Sequence, residues 1–367
     1  MIKITFIVES LDVGGTELSL LKWLRHCDRK IFEPSLISFR KGALLKELEG
    51  INVHTTVIYK KFPFDVFFFY RMVRKLSKVK PDVVHCRNGI PAISYGVLAA
   101  KMLNIPAISS VHGRTHYIRP NIKTWLWFRI MRLSRTIITV TSGIKDEIVE
   151  FGGVDRQCIQ VIHNGIDIDN HAYDSPKGVS RQKFGLDTKD FVIGSVGNFR
   201  PIKGHRYLIK AFADVLKVIP SAKLVLIGKG EEEGILRSLA ADLNVESQVK
   251  FLGYQEDAGR LIGMFDVFVL PSLSEGFPNV LLEAIMAGVP VVAANVGGVP
   301  EIVRHRKEAL LVNPADTQGL AAAVLQLAEQ LELRESLTAN ALRRVKEQFD
   351  IRTTLAQYDA AYLGLLN

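Results

Sequence analysis

The feature that most narrows the possible folds is a rhythm. Short β-branched and aromatic runs alternate with longer segments of helical period. In the first half the runs fall near 3–9, 33–39, 52–58, 82–87, 105–111, 136–141 and 159–163. Apolar strands separated by helix-length segments suit a parallel sheet covered on both faces, because every parallel neighbour needs a crossover. A polar stretch from about Asp169 to Asp190 interrupts the pattern, which restarts at Phe191-Val192-Ile193-Gly194-Ser195-Val196-Gly197. It continues through Ala222–Gly228, Val249–Gly253, Asp266–Pro271 and Val289–Ala294, and from Asp316 it is helical almost to the end, past a break at Phe349-Asp350. The expected architecture is α/β, with two doubly wound parallel-sheet domains facing each other across a deep cleft. Their expected bounds are 1–165 and 166–349, and a final helix of about 350–367 packs back on the first domain.

The 367 residues suit two such cores better than one. No internal repeat of solenoid length and no low-complexity tract is visible. The first strand is too short for a signal h-region, and the uncharged stretch between Glu283 and Glu301 is broken by Gly288, Pro290, Gly297, Gly298 and Pro300, so no spanning helix is expected. Cys27, Cys86 and Cys158 are odd in number and lack C-x-x-C spacing, which fits a reducing cytoplasm. Through Gly165 there are 25 Lys and Arg against 13 Asp and Glu, a formal +12, while the remainder carries −3. The basic half is expected to face something anionic.

The strongest motif is Ser274-Glu275-Gly276-Phe277-Pro278-Asn279-Val280-Leu281-Leu282-Glu283-Ala284, which leaves a strand and enters a helix. A helix starting near Pro278 puts Glu283 on its second turn and Glu275 in the preceding loop, with the amides of Asn279, Val280 and Leu281 at a positive helix end. Such an end suits a diphosphate, and a carboxylate one turn on suits a polyol such as ribose. Glu275 suits sugar hydroxyls or positive charge developing at an anomeric carbon. The structural alternatives are a helix-entry acid at Glu275 and a solvated or buried structural residue at Glu283. A second loop, Gly197-Asn198-Phe199-Arg200-Pro201-Ile202-Lys203-Gly204-His205, brings two cations toward the same end of the sheet, where phosphoryl oxygens want fixed positive charge. Gly14-Gly15 follows the first strand at a helix start, without the third glycine of a dinucleotide fingerprint. His112 stands at the carboxyl end of Ala107–Val111, in reach of a sugar hydroxyl; the alternative is a loop histidine without a role.

The E-x7-E segment after Pro271, with Asn164-Gly165-Ile166-Asp167, Ala287-Gly288-Val289-Pro290-Val291-Val292 and Gly297-Gly298-Val299-Pro300-Glu301, resembles family 4 glycosyltransferases. Their order and spacing carry the resemblance over nearly the whole chain. It implies the GT-B fold and a retaining transfer of a hexose-type sugar from a nucleotide-diphosphate sugar, with UDP-sugar the leading donor. The acceptor implied is a hydroxyl on a glycan or lipid-linked molecule of surface polysaccharide or glycolipid synthesis. In that light Arg200 and Lys203 hold the diphosphate, although Asn198 stands where the family often has arginine. Gly14 and Gly15 close on the donor phosphate, and His112 and Glu275 serve the transferred sugar. Gly253 and Tyr254 border the base, and Gly276, Phe277, Pro278, Asn279, Val280, Leu281 and Glu283 complete the donor site. Whether that base is uracil, guanine or adenine is open in these residues.

No D-x-D motif or His/Cys cluster falls at the proposed donor site, so no metal and no cofactor are expected, and the departing diphosphate is expected to help deprotonate the acceptor in a front-face reaction. Two aromatic-basic stretches, Lys60–Arg71 and Arg119–Arg135 with Trp125, Trp127 and Phe128, are read as membrane-surface docking elements or as core helices. The expected location is cytoplasmic, peripheral on the inner face of the cytoplasmic membrane. Nucleic acid is not an expected partner, since the aromatics follow helical period and do not form stacking platforms. A nucleotide-sugar epimerase, a glycan phosphorylase and a non-catalytic nucleotide-sugar-binding subunit share the architecture. A dinucleotide oxidoreductase lacks its glycine fingerprint here.

Overall fold

The computed structural model describes residues 1–12, 14–60, 65–113, 122–169 and 181–366. The chain divides into two compact units, one of Met1–Asn164 with Arg352–Asn367 and one of Gly165–Ile351.

The first unit is built on seven parallel strands: β1 (Ile2–Val8), β2 (Phe32–Ser38), β3 (His54–Val57), β4 (Val83–Arg87), β5 (Ala107–Val111), β6 (Thr136–Thr139) and β7 (Ile159–Val161). Their order is β3-β2-β1-β4-β5-β6-β7. The chain therefore runs outward from β1 in one direction and then reverses at β4, and the carboxyl ends of β1 and β4 meet at the switch point where ligands settle in such sheets. Helices cover both faces, which is why Ile4, Phe6, Ile7, Val83, Val84, Ile108, Ile137 and Ile138 are all buried on strands that show no polar alternation.

The last helix, Ile351–Leu363, completes this unit. Thr354, Tyr358 and Tyr362 repeat every four residues and are buried as one stripe. Tyr362 meets Phe6, Trp23 and Phe32 edge-on, Trp23 donates its indole N–H to Asp359 at 3.2 Å, and Thr354 donates to the His163 carbonyl at 3.1 Å. Such an aromatic cluster gains from both area and edge-to-face geometry.

The second unit has six parallel strands: β8 (Phe191–Val196), β9 (Ala222–Ile227), β10 (Val249–Phe251), β11 (Val267–Leu270), β12 (Val291–Ala294) and β13 (Leu310–Val312), in the order β10-β9-β8-β11-β12-β13. Its switch point lies between β8 and β11. Arg181 ties the entry to this sheet by donating to the Met264 and Asp190 carbonyls and to Asp266 at 2.6 Å, and Asp266 also accepts from the Val192 amide.

The strands lie within a residue or two of their expected positions, with one addition. The sequence reading has no strand at 310–312, because three residues are too few to show a run, and β13 exists by pairing with β12 (Val292 beside Leu310) at the sheet edge. No helix among the described residues is long and apolar enough to cross a membrane.

Candidate functional site

In the second unit the loop after β8 becomes a 3-10 turn, Pro201–Lys203, and then the helix His205–Val218. The loop after β11 runs from Pro271 into the helix Asn279–Met286. Because β8 and β11 are neighbours, the two loops zip together, the Leu273 amide donating to the Ile202 carbonyl at 2.8 Å. Gly204 lets them approach: at φ +68° it adopts the left-handed region, and a Cβ there would lie 2.0 Å from the Pro271 carbonyl oxygen. The loop after β12 closes from the other side, with the Gly298 amide on the Gly276 carbonyl at 2.8 Å. At Gly297 (φ +52°) an added Cβ would sit 1.8 Å from the Glu275 carbonyl oxygen. Three loops from three adjacent strands thus converge on Glu275.

Its carboxylate is buried and held on two sides. Lys203 Nζ reaches both oxygens, at 2.7 and 3.0 Å, and Ser272 donates its hydroxyl to one of them at 2.6 Å. Two residues read from sequence as separate contacts to sugar and diphosphate are therefore partners of each other. A half-buried ammonium held by a buried carboxylate is a fixed positive centre with one side still open to an anion. Ser272 was missed in the sequence, although its S-x-x-E spacing to Glu275 is the pattern by which a serine at a loop start meets an acid three residues on.

Around this pair the other expected residues divide. Arg200 is exposed and its side chain has no partner among the described residues. Glu283 stands half-buried on the second turn of its helix. The helix start departs from expectation at Leu281. Its amide donates to the Pro278 carbonyl at 3.1 Å and its side chain is wholly buried, which leaves the amides of Asn279 and Val280 as the candidates at that end. Phe277 packs its ring on Phe349 with centroids 5.5 Å apart, a structural side chain between Gly276 and Pro278. Gly253, left-handed at φ +67°, accepts from the Gly228 amide at 2.9 Å, and Tyr254 beside it is exposed under the Lys229 ammonium.

His205, which the sequence reading left without a role, is buried at the first position of its helix against the Phe199 ring. Burial, with the Lys203 charge nearby, lowers its pKa to about 4, so the imidazole is neutral.

The first unit holds Gly14, Gly15 and His112. Gly14 caps the helix Gly15–His26 in an extended conformation, and a Cβ added there would lie 2.5 Å from a Glu17 carboxyl oxygen. Burial raises the pKa of Glu17. Arg87, at the end of β4, is 2% exposed and stacks on Tyr358, with its Nε unpartnered and one terminal nitrogen 3.4 Å from the Thr16 carbonyl. His112 follows β5 and is also buried. Neither Glu17 nor Arg87 was singled out in the sequence, because what surrounds them depends on the β1–β4 adjacency.

The aromatic-basic stretches resolve into core and surface. Lys61–Phe64 and Arg119–Asn121 lie outside the described residues. Phe68, Trp127 and Phe128 are core, in line with the core-helix alternative for these three. Phe67 is 82% and Trp125 55% exposed, with Val66, Tyr70, Ile122 and Leu126 exposed beside them. Their helices, Val66–Val79 and Ile122–Met131, both pack on the helix Ile90–Met102.

Comparison with known proteins accounts for this arrangement. Residues 13–170 match the profile described as Glycosyltransferase Family 4, and residues 177–344 that described as Glycosyl transferases group 1. N-acetyl-alpha-D-glucosaminyl L-malate synthase from Bacillus anthracis is 28% identical over 96% of this chain and 93% of its own length. UDP-Gal:alpha-D-GlcNAc-diphosphoundecaprenol alpha-1,3-galactosyltransferase from Escherichia coli is 27% identical over 80% of this chain and 78% of its own. Among solved structures, HepE from Anabaena in complex with UDP-glucose superposes with a TM-score of 0.87 at 26% identity, covering 99% of this chain and 100% of HepE. With two doubly wound parallel-sheet units and matches to both family profiles, the chain belongs to the family 4 glycosyltransferases and is a glycosyltransferase of GT-B type.

Proposed function

We propose that the protein is a retaining hexosyltransferase that moves a sugar from a UDP-sugar to a hydroxyl of a glycan or lipid-linked acceptor in surface polysaccharide or glycolipid synthesis. The observation that carries this reading is the Lys203–Glu275 pair at the switch point of the second sheet. It offers a cation for phosphoryl oxygens and a carboxylate for the sugar within one charge-assisted contact. Arg200 adds a second cation, the Asn279 and Val280 amides meet the pyrophosphate, and Glu283 meets the ribose. Gly253 and Tyr254 border the base, and Gly14, Gly15 and His112 of the first unit serve the phosphate and the sugar. The HepE complex with UDP-glucose supports the donor class, and the galactosyltransferase of E. coli supports a lipid-linked acceptor.

The acceptor oxygen attacks the anomeric carbon on the face from which the diphosphate departs. The bond from that carbon to the phosphate oxygen breaks, and the acceptor proton passes to the leaving phosphate. Lys203 and Arg200 balance the charge that grows on the diphosphate, and Glu275 faces the positive charge that grows on the sugar ring, so no metal ion is required.

An anionic membrane surface belongs to the same proposal. Phe67, Tyr70, Ile122 and Trp125 enter the interface while Arg71, Arg74 and Arg129 meet lipid headgroups, placing the enzyme on the inner face of the cytoplasmic membrane.

Thermal shift against UDP, GDP and ADP, then against the matching sugar donors, tests the donor. UDP is expected to raise the unfolding temperature, by about 2.7 kcal/mol of stability at 100 times its Kd. Glu275→Gln and Lys203→Ala are each expected to lower transfer by roughly 10² to 10³-fold. Unchanged transfer in both variants would overturn the mechanism, and phosphorolysis or epimerisation without acceptor would replace the assignment.

A further inference from the structure

Around the end of β4 the first unit buries more hydrogen-bond donors than their neighbours accept. Arg87 on β4 and Ser110 on β5 are paired in register, so their side chains share one face of the sheet, with His85 two residues before and His112 two residues after. The Tyr362 hydroxyl is 2.8 Å from His85 Nδ1, His85 Nε2 is 3.0 Å from the Ser110 hydroxyl, and that hydroxyl is 3.2 Å from His112 Nε2. Burial, with the charge of Arg87 close by, lowers both histidine pKa values far below the ordinary range, so each ring is neutral with one N–H. Tyr362, His85, Ser110 and His112 then hold four hydrogens for three contacts, and one always lacks an acceptor within the line. Beside them His112 Nδ1, the Tyr358 hydroxyl and Arg87 Nε are buried with no partner.

At Arg87 this surplus becomes a charge. A guanidinium has only donors, and this one is buried with a single polar contact among the described residues, from a terminal nitrogen to the Thr16 carbonyl at 3.4 Å. Its central carbon lies 5.8 Å from the centre of the Tyr358 ring. No carboxylate among the described residues is within ion-pair distance. Burial raises the pKa of Glu17, and the Arg87 charge reaches that carboxyl only from farther off. A buried cation without a counter-charge is costly, so the missing partner is a negatively charged group with several acceptor oxygens. A way in exists at the rim, where Gly15 is exposed and Thr16 and Asn88 are half-buried. Gly15 and Thr16 open the helix Gly15–His26, whose first turn adds positive potential on the same spot.

We infer that Arg87, under the first turn of the helix Gly15–His26, is the centre of a subsite for an anionic group, a phosphate or a carboxylate, carried by the acceptor. The assignment to the acceptor rests on the function proposed above, in which Lys203, Arg200 and helix amides of the second unit meet the donor diphosphate. The anion site itself rests on the unpaired donors of the first unit. That unit also carries the formal +12, so an anionic acceptor meets a favourable field before it docks. Arg87 is then a specificity residue, because a neutral glycan presenting the same hydroxyl leaves the guanidinium without a counter-charge.

The test is calorimetric titration of the full chain with inorganic phosphate and with malonate at constant ionic strength, alone and with UDP at about 100 times its Kd. The wild type is expected to bind at least one of the two anions while UDP fills the donor site. Arg87→Met, which keeps the reach of the side chain and removes its charge, is expected to weaken that binding by roughly 10-fold or more and to leave the Kd for UDP within about 2-fold. Arg87→Lys is expected to retain part of the binding, since the charge stays while the fork geometry is lost. In anion-free buffer Arg87→Met is expected to unfold at a higher urea concentration than the wild type, because it removes an uncompensated buried cation. A lower midpoint, with Arg87→Lys as depleted in anion binding as Arg87→Met, marks Arg87 as a residue that only holds the fold and overturns the site. So does a wild type that binds neither anion, or binding unchanged in Arg87→Met. Anion binding that UDP abolishes, or a Kd for UDP that rises with the loss of Arg87, overturns the assignment to the acceptor and gives Arg87 to the donor diphosphate. A wild type that binds the anion through Arg87 but does not bind UDP would sink the donor proposed above and leave the anion site standing.

Discussion

A single methyl group at Gly297 tests how tightly Glu275 is held. The backbone there is left-handed and an added Cβ overlaps the Glu275 carbonyl oxygen. Gly297→Ala is therefore expected to cost about 1–3 kcal/mol in urea denaturation. Through displacement of the Glu275 loop it is also expected to lower transfer by roughly 10²-fold, since shifts near 1 Å carry that penalty. A variant of full activity and stability would show that the three loops do not depend on this approach. At the same scale the sequence exposes some of the site and conceals the rest. Glu275, Lys203 and His112 stand out locally, as an acid after a strand, a cation in a glycine-bounded loop and a histidine at a strand end. That Lys203 binds Glu275, 72 residues away, is set by which strands are neighbours. The bond between His85 and Tyr362, 277 residues apart, is set by where the last helix lands. Neither depends on any pattern within a window of sequence.

Elements were easier to read than residues because a strand buried on both faces writes its length into an uninterrupted apolar run. The three-residue β13 escapes that rule, and so does the division of an aromatic helix into inner and outer faces when the apolar residues are nearly continuous. In Ile122–Met131 the buried face takes Trp127, Phe128 and Met131 and leaves Trp125 and Leu126 outside, while Asp65, accepting from the Phe68 amide at 2.8 Å, fixes where Val66–Val79 begins. The two outward stripes give a prediction at this scale. Phe67→Ser combined with Trp125→Ser is expected to weaken binding to vesicles containing anionic lipid by about 10-fold or more, as measured by sedimentation, and to leave the unfolding temperature nearly unchanged because both rings are exposed. Binding equal to wild type would separate these helices from the membrane.

For the whole molecule, acid acts on both units by the same physics. His85 and His112 in the first unit and His205 in the second have folded pKa values below the 6.5 of the unfolded chain, so the unfolded state takes up protons that the native state refuses. Their contribution is complete above about pH 6.5 and is lost as pH falls, for His205 until about pH 4. Each is expected to remove about 2 kcal/mol between pH 6.5 and 5, measured by urea denaturation at several pH values. His205→Leu is expected to flatten the slope of one transition and leave that of the other. A slope unaffected by the substitution would place the acid sensitivity elsewhere.

The return of the final helix to the first unit has a consequence for how the chain is made. Residues up to Asn164 leave the ribosome before Gly165–Ile351, yet the aromatic cluster of β1 and the helix after it lacks Tyr362 until the helix Ile351–Leu363 emerges. Synthesis of Gly165–Ile351 takes roughly 10–40 s at ordinary elongation rates, long enough for the second unit to fold inside the interval. The unit begun before the other is thus completed after it, and during that wait Phe6, Trp23 and Phe32 lack the Tyr362 ring that packs on all three.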